Sequence, residues 1–240
     1  MLLRVGTSGF SYKEWKGTFY PEDLPQAKML AYYAERFATV EINNTFYRMP
    51  KEETLAGWRD QVPSKFRFVL KAPQRITHQK KLAGADDEVA RLFQVAGALG
   101  DRLGPVLFQL PPYLRADPER LRAFLGTIPA GHPVAFEFRH PSWGEEQAGA
   151  VLRKAEAALC IADTDEAPVY ELPRPTAEWG YIRLRRADYP DQALSEWCAR
   201  IAAQPWNEAW VFFKHEDEGK GPAYAARFVE AAERSGLALA

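Results

Sequence analysis

The chain has 240 residues, 47% of them hydrophobic and 26% charged, with a formal net charge of -1 at pH 7. These are ordinary globular proportions in a chain long enough to bury a core unaided, which excludes a disulfide- or metal-dependent miniprotein. The near-neutral balance excludes a global pull toward nucleic acid or anionic lipid, and no run approaches the roughly 18 apolar residues of a membrane helix.

Met1-Leu2-Leu3-Arg4 leads straight into a Gly-Thr-Ser-Gly turn, so no secretory leader is expected. Eight short apolar runs then read as strands: Leu2–Thr7, Thr39–Asn43, Phe66–Lys71, Pro105–Gln109, Val134–Phe138, Ala158–Asp163, Gly180–Leu184 and Trp210–Lys214. Their low alternation suits strands covered on both faces. Helical stripes fall between most of them: Met29, Leu30, Tyr33 and Phe37; Leu55 and Trp58; Val89, Leu92, Phe93 and Ala96; Leu194, Trp197, Cys198 and Ile201. Asp117-Pro118 and Pro222 mark helix openings.

Strand starts recur about every 30 residues, the length of one βα unit, which predicts a single α/β domain over 1–240, a (β/α)8 TIM-type barrel. An open doubly wound sheet is the structural alternative. The sixth unit is irregular: residues 164–179 hold Pro168, Pro173 and Pro175 and no helical stripe. Cys160 falls mid-strand and Cys198 on a helix stripe. Both are expected in the core, reduced, in a cytoplasmic protein.

Function in such barrels sits at the C-terminal strand ends. Those ends read Thr7-Ser8-Gly9, Glu41-Ile42-Asn43, Lys71, Gln109, Glu137-Phe138-Arg139-His140, Asp163, Arg183-Leu184-Arg185-Arg186 and Lys214-His215. Alternation pairs Glu41 with Asn43, Glu137 with Arg139 and Arg183 with Arg185 on common faces. Charges late in otherwise apolar strands predict a shared polar basin; the alternative is a structural ion network.

The motifs at these ends resemble the YecE-like family, domain of unknown function 72. They are Gly6-Thr7-Ser8-Gly9-Phe10-Ser11-Tyr12, Thr39-Val40-Glu41-Ile42-Asn43, Thr45-Phe46-Tyr47-Arg48, Thr77-His78, Leu107-Phe108-Gln109-Leu110-Pro111-Pro112 and Glu137-Phe138-Arg139-His140-Pro141-Ser142-Trp143. The resemblance implies an eight-stranded barrel and assigns no activity. Many members carry His-Gly after the seventh strand and Phe-Asn-Asn at the eighth. Arg185-Arg186 and Phe213-Lys214-His215 stand there instead, which makes this basin more basic and removes that histidine.

Among chemistries, Glu41 and Glu137 could serve as a glycosidase pair, but the strand-four and strand-seven ends carry Gln109 and arginines rather than carboxylates. A serine nucleophile lacks its Gly-x-Ser-x-Gly elbow. No cofactor is certain; Glu41, Glu137, Asp163 and His140 could bind a divalent cation such as magnesium. Phosphate binding fits best, with Arg183, Arg185, Lys214 and a Gly219–Gly221 turn opening the last helix, against the acidic Glu216-Asp217-Glu218 beside them. Glu41, Glu137, Lys71, Arg139 and Asp163 are the catalytic candidates. Thr7, Asn43, Tyr47, Gln109, His140, Trp143, Arg183, Arg185, Lys214, Gly219 and Gly221 are the ligand-binding ones. The expected partner is a phosphorylated small molecule or nucleic acid, acted on by a hydrolase or isomerase or bound without turnover.

Overall fold

The computed structural model describes residues 1–166, 175–215 and 219–240. Eight parallel strands close on themselves: β1 (Leu2–Ser8), β2 (Thr39–Ile42), β3 (Arg67–Lys71), β4 (Leu103–Gln109), β5 (Val134–Glu137), β6 (Ala158–Asp163), β7 (Trp179–Leu184) and β8 (Glu208–Phe213). The order runs β2 through β8 to β1, and β1 pairs back to β2. This closure leaves no open edge along the barrel and excludes the doubly wound alternative.

A ninth strand, β9 (Ala238–Leu239), was not legible as a hydrophobic run. It pairs Leu2 and Leu3 of β1, and β2 takes over the same side of β1 from Gly6 onward. The chain's C-terminal segment thus covers the part of β1 that β2 does not reach.

The α-helices among the described residues are α1 (Met29–Ala34), α2 (Glu52–Arg59), α3 (Asp86–Ala96), α4 (Pro118–Leu125), α5 (Glu146–Lys154), α6 (Asp191–Ala202) and α7 (Lys220–Arg234). Each expected stripe lies buried against the barrel, Trp58 in part. Helix α4 starts where Asp117-Pro118 predicts, with the Asp117 carboxylate accepting from the Arg120 N–H at 2.9 Å. Among the described residues no helix stands between β6 and β7. Pro168 and Pro173 lie outside the described residues, as do Glu216, Asp217 and Glu218.

The apolar core forms two shells. Outside the barrel, helices pack on the outward strand residues in two clusters. Inside, Val69, Leu107, Ala135, Cys160, Tyr181 and Phe212 fill the lumen, so the barrel is a packed core and the mouth has a floor. Where β1 meets β2 the backbones approach closely, and a Cβ on Gly6 would overlap the Thr39 carbonyl oxygen. Gly6→Ala should therefore cost about 1–3 kcal/mol, read by denaturant unfolding. An unchanged midpoint would mean the two strands can part there freely.

Candidate functional site

Strand alternation carries the lumen upward into an ionic layer. Arg183, two residues beyond Tyr181 on β7, lies between two carboxylates. Its guanidinium donates to Glu41 at 2.8 Å and to Glu137 at 2.6 Å. All three are sealed, with exposures of 1%, 0% and 1% for Arg183, Glu41 and Glu137. Glu41 also accepts from the Ser8 hydroxyl at 2.6 Å and the Tyr181 phenol at 2.6 Å. Glu137 accepts from the Gln109 amide at 2.7 Å and Arg139 at 3.0 Å, with Arg185 at 3.6 Å.

Burial pushes both carboxyls up, but the charges outweigh it. Arg183 with the Ser8 and Tyr181 hydroxyls holds Glu41 below the usual carboxylate range. Arg183, Arg139 and Arg185 do the same for Glu137. Burial alone would lower Arg183, yet the two carboxylates raise it well above its ordinary value. The trio is thus a fixed Glu–Arg–Glu bridge that favours its charged state. That geometry corrects the expected acid/base roles of Glu41 and Glu137: both are held ionised, and their oxygens already accept from protein donors.

Above the bridge stand half-buried cations. Lys71 at the end of β3 lies over the Phe46 ring, 4.2 Å from its centroid, and forms no ion pair among the described residues. Burial and the nearby Arg183 push its ammonium down to about 8. Burial, then Arg183, likewise lowers Arg185. His78 stands edge-on to Phe46 with ring centroids 4.9 Å apart; burial, Lys71 and Arg139 lower its imidazole. Among the described residues, two carboxylates against Arg183, Arg139, Arg185 and Lys71 leave an excess of two positive charges. Lys214 follows Phe212 on the same face of β8 by alternation.

Several expected site residues do not join this group. Asp163 points outward and accepts from Tyr189, Trp197 and Arg186 at 3.0, 3.0 and 2.9 Å, clamping β6 to α6 and the β7 loop. The Thr7 hydroxyl donates to the Gly9 carbonyl at 2.6 Å, and its N–H donates to the Tyr33 phenol. Trp143 is buried, stacked on Phe138 at 4.2 Å, with its indole N–H on the Leu114 carbonyl. His140 caps the short 3-10 turn that follows β5, accepting from the Ser142 N–H. Tyr47 is 75% exposed, edge-on to Phe46.

Gly219 and Gly221 have packing reasons of their own. A Cβ on Gly219 would strike the Thr18 side chain, and one on Gly221 would lie 2.7 Å from the His215 carbonyl oxygen. Their close neighbours belong to the first loop and His215, so the turn's glycines need no anion to explain them. The set Glu41, Glu137, Asp163 and His140 does not fit a cation: Arg183 holds the two glutamates, Asp163 faces the other side of its strand, and among the described residues no group of three ligating side chains gathers. Ser8, Tyr181 and Phe46 were missed. Ser8 sits in register with Glu41 and Tyr181 two residues before Arg183, so strand alternation could have found both.

A closed (β/α)8 barrel with a cationic mouth over a buried ionic floor defines the class of protein. A sequence model of the family described as "Protein of unknown function DUF72" matches residues 4–239, and the chain belongs to that family. The UPF0759 protein YecE of Escherichia coli K12 is 37% identical over 121 residues, 48% of this chain and 44% of that protein. The UPF0759 protein YunF of Bacillus subtilis 168 is 28% identical over 154 residues, 59% and 52%. The chain thus spans about half the length of the curated relatives it matches. A DUF72 crystal structure from Thermotoga maritima gives a TM-score of 0.85 at 25% identity over 97% of this chain and 100% of that one. One from Enterococcus faecalis gives 0.78 at 20% identity over 97% and 96%, a likeness of fold. No described helix is long and apolar enough to cross a membrane.

Proposed function

We propose that the barrel mouth binds the anionic group of a phosphorylated small molecule. One observation carries this reading: Arg183 alone bridges both buried carboxylates, so Lys71, Arg139 and Arg185 stand half-buried with more positive charge than the floor neutralises. Such a surplus destabilises the free protein and is relieved by an anion. The bridge fixes the floor, and Arg139 and Arg185 are tied to Glu137 from one side, which pre-orients their forks for an oxyanion.

The saturated glutamates favour binding over carboxylate-based hydrolysis. Lys71, its ammonium pushed down to about 8, is poised to exchange a proton with a bound ligand. The first experiment is a thermal-shift screen with sugar phosphates, nucleotides and oligonucleotides. A ligand at 100 times its Kd adds roughly 2.7 kcal/mol. Small phosphorylated ligands should shift melting. Hits limited to oligonucleotides and eroded steeply by salt would move the reading to nucleic acid.

A pH test follows from Lys71. Its folded value, about 8, lies below the ordinary 10.5. A bound anion raises it again, so binding takes up a proton above pH 8, and affinity should fall between pH 8 and 10. Calorimetry in buffers of different ionisation enthalpy reads that uptake. Affinity constant from pH 7 to 10 would remove Lys71 from the site.

A further inference from the structure

Next to the mouth lies a feature that the anion site does not use. A cavity of about 700 Å³ opens between the loops after β1 and β2 and helices α1 and α2. Phe10, Tyr12 and Trp58 line it together with Gln26, Asn43 and Gln61, and among the described residues no charged one does. A pocket with aromatic and amide walls and no charge suits a neutral, planar, polar group.

Asn43 gives the pocket its chemistry. Its Oδ1 and Nδ2 are both shielded from solvent, and neither has a hydrogen-bond partner. A buried carboxamide keeps its desolvation penalty until a donor and an acceptor pair with it. Asn43 borders the cavity. Phe10 meets Trp58 edge-on at 6.0 Å, and Phe68 backs the Trp58 ring at 6.1 Å.

Cavity and mouth are joined by the same strand ends. Asn43 stands two residues after Glu41, where it opens the 3-10 turn that follows β2, and Phe46, which supports Lys71, three residues after Asn43. The Gly9 N–H, on the cavity rim, donates to the Glu41 carbonyl at 2.8 Å.

We infer that this cavity is the base pocket of a purine nucleoside monophosphate, adenine preferred, an assignment that rests on the mouth as its phosphate site. A carboxamide sets a donor beside an acceptor, and the N6/N7 edge of adenine presents the complementary pair. The same edge of guanine presents two acceptors, so the amide meets only half of it.

Calorimetric titration of the full chain with AMP, GMP, adenosine and ribose 5-phosphate tests this. AMP should bind roughly tenfold tighter than ribose 5-phosphate, a gain that stacking one base supplies, and tighter than GMP. Asn43→Ala, or Asn43→Leu if the smaller side chain disturbs the fold, should abolish the AMP preference over GMP and leave ribose 5-phosphate affinity intact. Equal affinities for AMP and ribose 5-phosphate would overturn the base pocket and leave the phosphate site standing. Adenosine binding as well as AMP, with ribose 5-phosphate silent, would overturn the phosphate site and the nucleotide assignment with it. Silence from all four would overturn both.

Discussion

Arg183→Leu should lower the melting temperature by on the order of 10 °C or more. Leucine fills the lumen but leaves Glu41 and Glu137 sealed without their shared guanidinium. Removing one partner of a buried pair costs about 3–5 kcal/mol, and here two carboxylates lose theirs. The pH dependence should also invert. In the native chain both carboxyls sit below their ordinary value, so their contribution is present above about pH 4.5 and is lost as the pH falls. In the variant, desolvation dominates and raises the Glu41 carboxyl above its unfolded value, so that acid relieves the defect. Melting scans from about pH 3 to 8.5 check both points. A variant that melts with the parent at every pH would mean the bridge is dispensable.

The same substitution two residues along the strand should do the opposite. Arg185→Leu combined with Arg139→Leu should leave the melting temperature unchanged or slightly higher, and weaken binding of a phosphorylated ligand by roughly a hundredfold. Glu137 keeps Arg183 and Gln109, so its floor position survives. The two removed cations repel Arg183 and Lys71, and burial with Arg183 already depresses Arg185. Each charge-assisted contact to an oxyanion contributes about 1.5–3 kcal/mol, which sets the affinity loss. Opposed effects at Arg183 and Arg185 separate the residue that builds the site from those that meet the ligand, a stability–function contrast.

The barrel was legible because its strands are short, largely apolar runs that start about every 30 residues. Boundaries slipped by a residue where the chain turns at a polar side chain, as at Asn43, which begins a 3-10 turn. The convergence of Glu41, Lys71, Gln109, Glu137 and the arginines was also legible, since charge at the end of an apolar strand has few places to go. Which face each charge takes was harder to read. Asp163 ends its strand as Glu137 ends its own, yet parity sends it outward to Trp197 and Tyr189. The roles of Glu41 and Glu137 depended on Arg183 reaching both, a contact across 142 and 46 residues of chain that spacing cannot convey. The ninth strand is two residues long and pairs only because β2 begins late, a fact of register.

The most direct test of the cationic mouth is a calorimetric titration with ribose 5-phosphate at pH 7, run on the parent and on the Arg139→Leu/Arg185→Leu chain. Saturable binding to the parent, lost in the double variant at an unchanged melting temperature, is the predicted result. Binding of equal strength to both chains, or none to the parent, would contradict an anion site at the mouth and leave the ionic layer a structural element of the barrel.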